Sequence, residues 1–191
     1  MFVLPLSGPV SADDGTMQDR RWAIGGYAGA LTRHSFVESF TTFDPSWAES
    51  YIAAVDVSYV LYRSPTLAYQ IEIDATIARR FGDDRQWDLG LVPMLRWKEF
   101  PWNDHLYTNF RIGLLGVSYV TGISPWELHW AGNDEGSRFL NYLSLELGFK
   151  PDPTSSLELF VRSHHRSGIF GLINDTHGGS TYITTGLRWH F

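Results

Sequence analysis

The feature that most constrains this chain is a period of two in its hydrophobicity, repeated in eight stretches. They run over residues 22–32, 51–62, 67–79, 87–97, 106–117, 138–150, 156–165 and 182–191. Successive residues of a strand point to opposite faces, so each stretch reads as a strand with one apolar and one polar side. The rhythm is clearest where Leu67, Tyr69, Ile71, Ile73, Ala75 and Ile77 oppose Gln70, Glu72, Asp74 and Thr76. It is equally clean where Leu143, Leu145, Leu147 and Phe149 oppose Tyr142, Ser144, Glu146 and Gly148.

Two architectures bury one face of such strands. A soluble sandwich turns the apolar face inward; a transmembrane barrel turns it to lipid and closes on the polar face. Here the polar faces carry both signs of charge, with Asp56, Glu72, Asp74, Asp88, Glu146 and Glu158 set against Arg96, Arg111, Arg162 and Arg188. Mixed charges interleaved with Gly and Tyr suit a hydrogen-bonded lumen, because eight strands enclose room for side chains and little else. Trp22, Trp87, Trp97, Trp102 and Trp189 fall near strand ends, where an aromatic girdle would sit. The links at one end (63–66, 98–105, 151–155) are short, and most at the other (33–50, 121–136, 166–181) are longer; 80–86 departs from that pattern. The expected fold is therefore all-β, an eight-stranded antiparallel transmembrane β-barrel over residues 13–191.

The strand that ends on Phe191 resembles the C-terminal assembly signal of bacterial outer-membrane barrels. Residues 1–12, with a short apolar run and Val10-Ser11-Ala12 before Asp13, resemble the back half of a secretory signal peptide. The first resemblance implies the bacterial outer membrane as the expected compartment, and the second implies export. A net charge of -6 argues against nucleic-acid binding, and the absence of cysteine removes disulfide and thiolate chemistry.

Chemistry concentrates late in the seventh stretch. By alternation Leu159, Val161, Ser163, His165 and Ser167 share the lipid-facing side, while Glu158, Phe160, Arg162 and His164 point to the lumen. His165 and Ser167 thus share a face with Cβ atoms about 7 Å apart, a span over which a histidine can take a proton from a serine hydroxyl. Adjacent His164 and His165 point to opposite faces and make no metal clamp, so no metal is expected. Read as residues only, the same motif also fits interfacial histidines followed by a turn at Ser167-Gly168.

The stretch from His165-Arg166-Ser167 to Ser180 resembles the lipid A 3-O-deacylase family, eight-stranded outer-membrane barrels with a His-x-Ser motif late in the seventh strand. The resemblance covers the whole barrel as architecture and the last 35 or so residues as motif. It implies Ser167 as nucleophile, His165 as general base, no cofactor, and lipid A or lipopolysaccharide of the outer leaflet as substrate among the outer-membrane lipids. The family places Asn after the serine, where this chain has Gly168, whose backbone N–H is then the candidate oxyanion donor. The family's orienting Glu would fall near Gly178 or Gly179; Asp175 is the expected replacement, with Asp134 and Glu135 behind it. Arg79, Arg80 and Arg166 are expected at the outer rim, where guanidinium forks suit lipid phosphates. The alternative is a non-catalytic barrel with a structural or loop-mediated binding role.

Overall fold

The computed structural model describes residues 20–34, 36, 38, 46–131 and 136–191. The expected signal-like segment 1–12 and the candidate acids Asp134 and Glu135 lie outside them. Eight strands, β1 (Trp22–Thr32), β2 (Trp47–Arg63), β3 (Tyr69–Gly82), β4 (Trp87–Trp97), β5 (Tyr107–Val120), β6 (Phe139–Lys150), β7 (Leu157–Ser167) and β8 (Gly179–His190), pair in sequence order. β1 also pairs antiparallel with β8, which closes the barrel. The apolar side faces out: Ile24, Val55, Ile77, Leu89, Leu91, Leu159 and Leu187 are exposed in a continuous band. Trp22, Trp97, Trp102 and Trp189 flank that band at the short-turn end, and Trp47 and Trp87 flank it at the long-loop end.

Strands outrun the sequence expectation mainly at the long-loop end. β2 starts at Trp47, β7 runs on to Ser167 and β8 starts at Gly179. Ladder hydrogen bonds continue there past the apolar alternation, because pairing requires a partner strand and not a greasy face. Pro93 marks a different irregularity within β4. It lacks an N–H for the ladder, and the β4–β5 and β5–β6 registers both shift opposite it, leaving Leu114 and Leu115 side by side on the outer wall.

The interior is ionic. Arg80, Arg111, Arg162, Arg166 and Arg188 are fully buried. Glu146 receives Arg188 Nη1 at 2.6 Å, Arg162 Nε at 2.8 Å and Arg111 Nη1 at 3.1 Å. Asp74 holds Arg111 at 2.8 Å and Arg162 at 3.2 Å, and Asp56 holds Arg188 at 3.1 Å. Toward the short-turn end Glu158 binds Arg96, Asn109 and His190 at 2.8, 2.7 and 2.6 Å. Small residues make the space: a Cβ on Gly148 would lie 2.0 Å from Glu158 Oε1.

Removing one member of a buried ion network leaves its partners charged in a dry interior, which costs about 3–5 kcal/mol. Glu146→Gln is therefore expected to destabilise the folded barrel by that order. Urea titration in detergent, read by the heat-modifiable gel shift of the folded form, checks it.

Candidate active site

The register that builds the lumen also sets what stands on the outer wall near the long loops. His165 pairs across the ladder with Leu143 on one side and Thr181 on the other, and Ser167 pairs with Asn141 and Gly179. His165 and Ser167 both occupy the outward side, as the alternation predicts, while His164 faces the lumen between Asp88 (3.1 Å) and the hydroxyls of Tyr27 and Tyr142 (2.9 and 3.2 Å).

His165 is buried, with the Phe36 ring stacked over it at a centroid distance of 4.6 Å and a tilt of 40°. Its Nδ1 lies 2.8 Å from Thr181 Oγ1. The threonine hydroxyl can donate or accept, so the contact holds the ring at Nδ1 and leaves Nε2 as the nitrogen not engaged by Thr181. The side chain that touches His165 Nδ1 is thus Thr181, where sequence reasoning expected an acid. The missed signal was register, because Thr181 stands opposite His165 only once the β7–β8 pairing is known. Gly179 could not serve: a Cβ there would lie 2.2 Å from Arg166 O.

Asp175 is in the β7–β8 loop, 3.7 Å from His177 Nε2, with its side chain almost fully exposed. Its carboxylate is turned to solvent and His177 while His165 is enclosed. Ser167 is half-buried, and no hydrogen bond joins it to His165 among the described residues. The expected oxyanion donor is already engaged, since Gly168 N–H donates to Gly178 O at 3.3 Å. That hydrogen bond is part of a loop folded on itself, in which Ile173 N–H donates to Gly168 O and Gly171 N–H to Thr176 O. The loop holds Ile169 and Phe170 at φ of 50° and 56°, a left-handed conformation that side chains with a Cβ adopt reluctantly. It leaves Phe170 and Leu172 projecting from the β7–β8 loop, 93% and 80% exposed.

Two of the three rim arginines belong elsewhere. Arg166 and Arg80 follow the lumen phase of their strands and are fully buried. A short helix, α1 (Pro125–Ala131), lowers Glu127 into the barrel mouth between them. Glu127 accepts from Arg166 Nη1 at 2.6 Å, Arg80 Nη1 at 3.2 Å and Ser180 Oγ at 2.8 Å. Their guanidinium groups cross-link the barrel and are not available to lipid phosphate, which corrects the rim reading for both. Arg79 does stand outside, with its guanidinium 5.4 Å from the centre of the Trp87 ring.

No protein-family model matches the chain, and neither does any curated protein sequence. Among solved structures, the fold defines the class: the outer-membrane β-barrel. The outer membrane enzyme PagL superimposes with a TM-score of 0.60 at 16% sequence identity, covering 86% of this chain and 97% of that one. Neisserial surface protein A (NspA) gives a TM-score of 0.49 at 13% identity, covering 89% of this chain and 97% of that one. At such identities the likeness to PagL is one of fold.

Because Glu127 is the anchor between α1 and the barrel wall, Glu127→Ala should release the helix while the strands persist. Amide hydrogen exchange is expected to speed up across residues 121–131 with β1–β8 still protected.

Proposed function

We propose that the chain is an outer-membrane ester hydrolase that removes an acyl chain from lipid A, with Ser167 as nucleophile and His165 as base. The observation that carries this reading is the placement of both residues on one outward face of β7, with Thr181 holding the histidine ring at Nδ1. Ser167 Oγ attacks the ester carbonyl as His165 Nε2 takes its proton. The carbonyl–oxygen bond to the sugar breaks, and the imidazolium returns the proton to the departing hydroxyl. Water, deprotonated by the same nitrogen, then cleaves the acyl-serine, so that ester and water become alcohol and fatty acid.

The wall below the pair suits an acyl chain. Ser163 is a small residue set in register between Leu145 and Ile183. Ser163 is itself only 3% exposed and opens no groove, so an acyl chain would lie along the apolar surface that Leu145 and Ile183 make beside it. Phe170 and Leu172 project from the β7–β8 loop, and Arg79 remains as a rim cation for lipid phosphate.

The second reading, a non-catalytic barrel in the outer membrane, is favoured by a specific observation: His165 is oriented by a neutral hydroxyl and roofed by Phe36. In serine hydrolases the loss of the orienting carboxylate lowers turnover by about 10⁴. Mass spectrometry of lipid A from cells expressing the parent and Ser167→Ala separates the two readings. Loss of one acyl chain with the parent and not with Ser167→Ala is the expected result; unchanged lipid A with a folded parent barrel would leave the non-catalytic reading. Thr181→Glu supplies a carboxylate at the position that touches His165 Nδ1. It is expected to raise the deacylation rate by about 10²-fold or more, measured as release of fatty acid from purified lipid A in micelles.

A further inference from the structure

At the opposite end of the barrel, the short turns surround a vestibule of about 320 Å³. Six basic side chains line it, Arg20, Arg21, Arg63, Arg96, Lys98 and Lys150, against the acids Glu72 and Glu99. The protein carries a net charge of -6 and 15 Lys and Arg in all, so cations are concentrated here against the overall balance.

The arrangement differs from that of the lumen. Arg96 is neutralised, with Nε 2.6 Å from Glu72 and Nη1 2.8 Å from Glu158. Among their contacts, the other arginines donate to backbone carbonyls that hold them at the rim: Arg21 to Val60 O, Arg20 to Thr154 O, and Arg63 to Arg20 O. Lys150, on the lumen side at the end of β6, is 5% exposed, and Lys98 follows β4 across the same space. Among the described residues no carboxylate lies within ion-pair distance of either ammonium. Burial, and then the neighbouring Arg96, push Lys98 down to about 8. Glu158 acts on Lys150 and Glu72 on Lys98 from beyond ion-pair distance, so two cations facing one cavity, Lys150 buried and Lys98 half-buried, are compensated most directly by an anion between them.

Two further features narrow the class of anion. The donors are ammonium and guanidinium groups converging from several turns, the set that suits a phosphate oxygen cluster. The vestibule also reaches Trp22 and Leu67, which are exposed on the outer wall at the edge of the apolar band. A phosphate at Lys98 and Lys150 could therefore be free, or could belong to a lipid whose chains run down the wall. We infer that the short-turn vestibule is a phosphate-binding site built on Lys98 and Lys150, separate from the His165–Ser167 wall.

The test uses the full chain folded in maltoside micelles, titrated at constant ionic strength with inorganic phosphate and, separately, with a water-soluble short-chain phosphatidylglycerol. Saturable broadening of the ³¹P resonance is expected with at least one probe. Lys98→Gln/Lys150→Gln should weaken it tenfold or more, and Arg85→Gln at the far end of the barrel should not change it. Saturation by inorganic phosphate identifies a free anion as sufficient; saturation by the lipid only identifies a headgroup phosphate. Arg21→Gln provides a second, milder variant with an expected loss of a few-fold should the double variant not give the heat-modifiable folded form. Absence of saturation with both probes, or equal affinity in a folded double variant, overturns the assignment.

Discussion

The buried ion network is the interaction on which the rest of this barrel depends. Every strand except β1 contributes a charged side chain to it, from Asp56 on β2 to Arg188 on β8, and β1 contributes the Tyr27 hydroxyl that binds His164. Such a network is not automatically stabilising, since removing charges from water costs about as much as their pairing returns. Its effect is on register. A slip of one residue in any of β2–β8 would carry a charged side chain from the lumen to the lipid face, at about 2–4 kcal/mol for each arginine or lysine near the bilayer midplane.

A full interior confines any chemistry to the wall and the rims. Arg162 stacks over Tyr27 at 4.8 Å and Arg188 over Phe160 at 4.3 Å, which fills the middle of the lumen with side chains. At the long-loop end Glu127 closes the mouth by binding Arg80 and Arg166 from inside. The same strand that sends Arg162, His164 and Arg166 inward therefore presents Ser163, His165 and Ser167 outward. Site and scaffold are alternate residues of β7. A substitution in one phase moves the backbone that positions the other, which ties the geometry of the outward pair to the integrity of the ionic core.

The two ends of the barrel solve different electrostatic problems. At the long-loop end carboxylates and arginines meet within the lumen, with Asp84, Asp88 and Glu127 around Arg80. At the short-turn end the carboxylates are drawn inward, Glu72 to Arg96 and Arg111 and Glu158 to Arg96 and His190. The lysines nearest the opening are left facing a cavity. That asymmetry is the physical basis for treating the vestibule as a site in its own right.

Much of this was legible along the chain. Alternation with a period of two is a local property, so it marked the strands, the outward apolar band, the inward charges and the shared face of His165 and Ser167. Contacts between residues distant in sequence were not legible. Thr181 meets His165 only through the β7–β8 register, and Arg80 and Arg166 look like rim cations until Glu127 arrives from a helix 39 to 47 residues away. Asp175 was the first acid after the His165–Ser167 pair in sequence, yet it sits in a left-handed turn at φ 52° with its carboxylate near His177. The sequence determined which face each side chain takes, because that follows from backbone geometry residue by residue. Only the tertiary structure decided which of those side chains meet, because barrel closure and loop conformation set the distances between them.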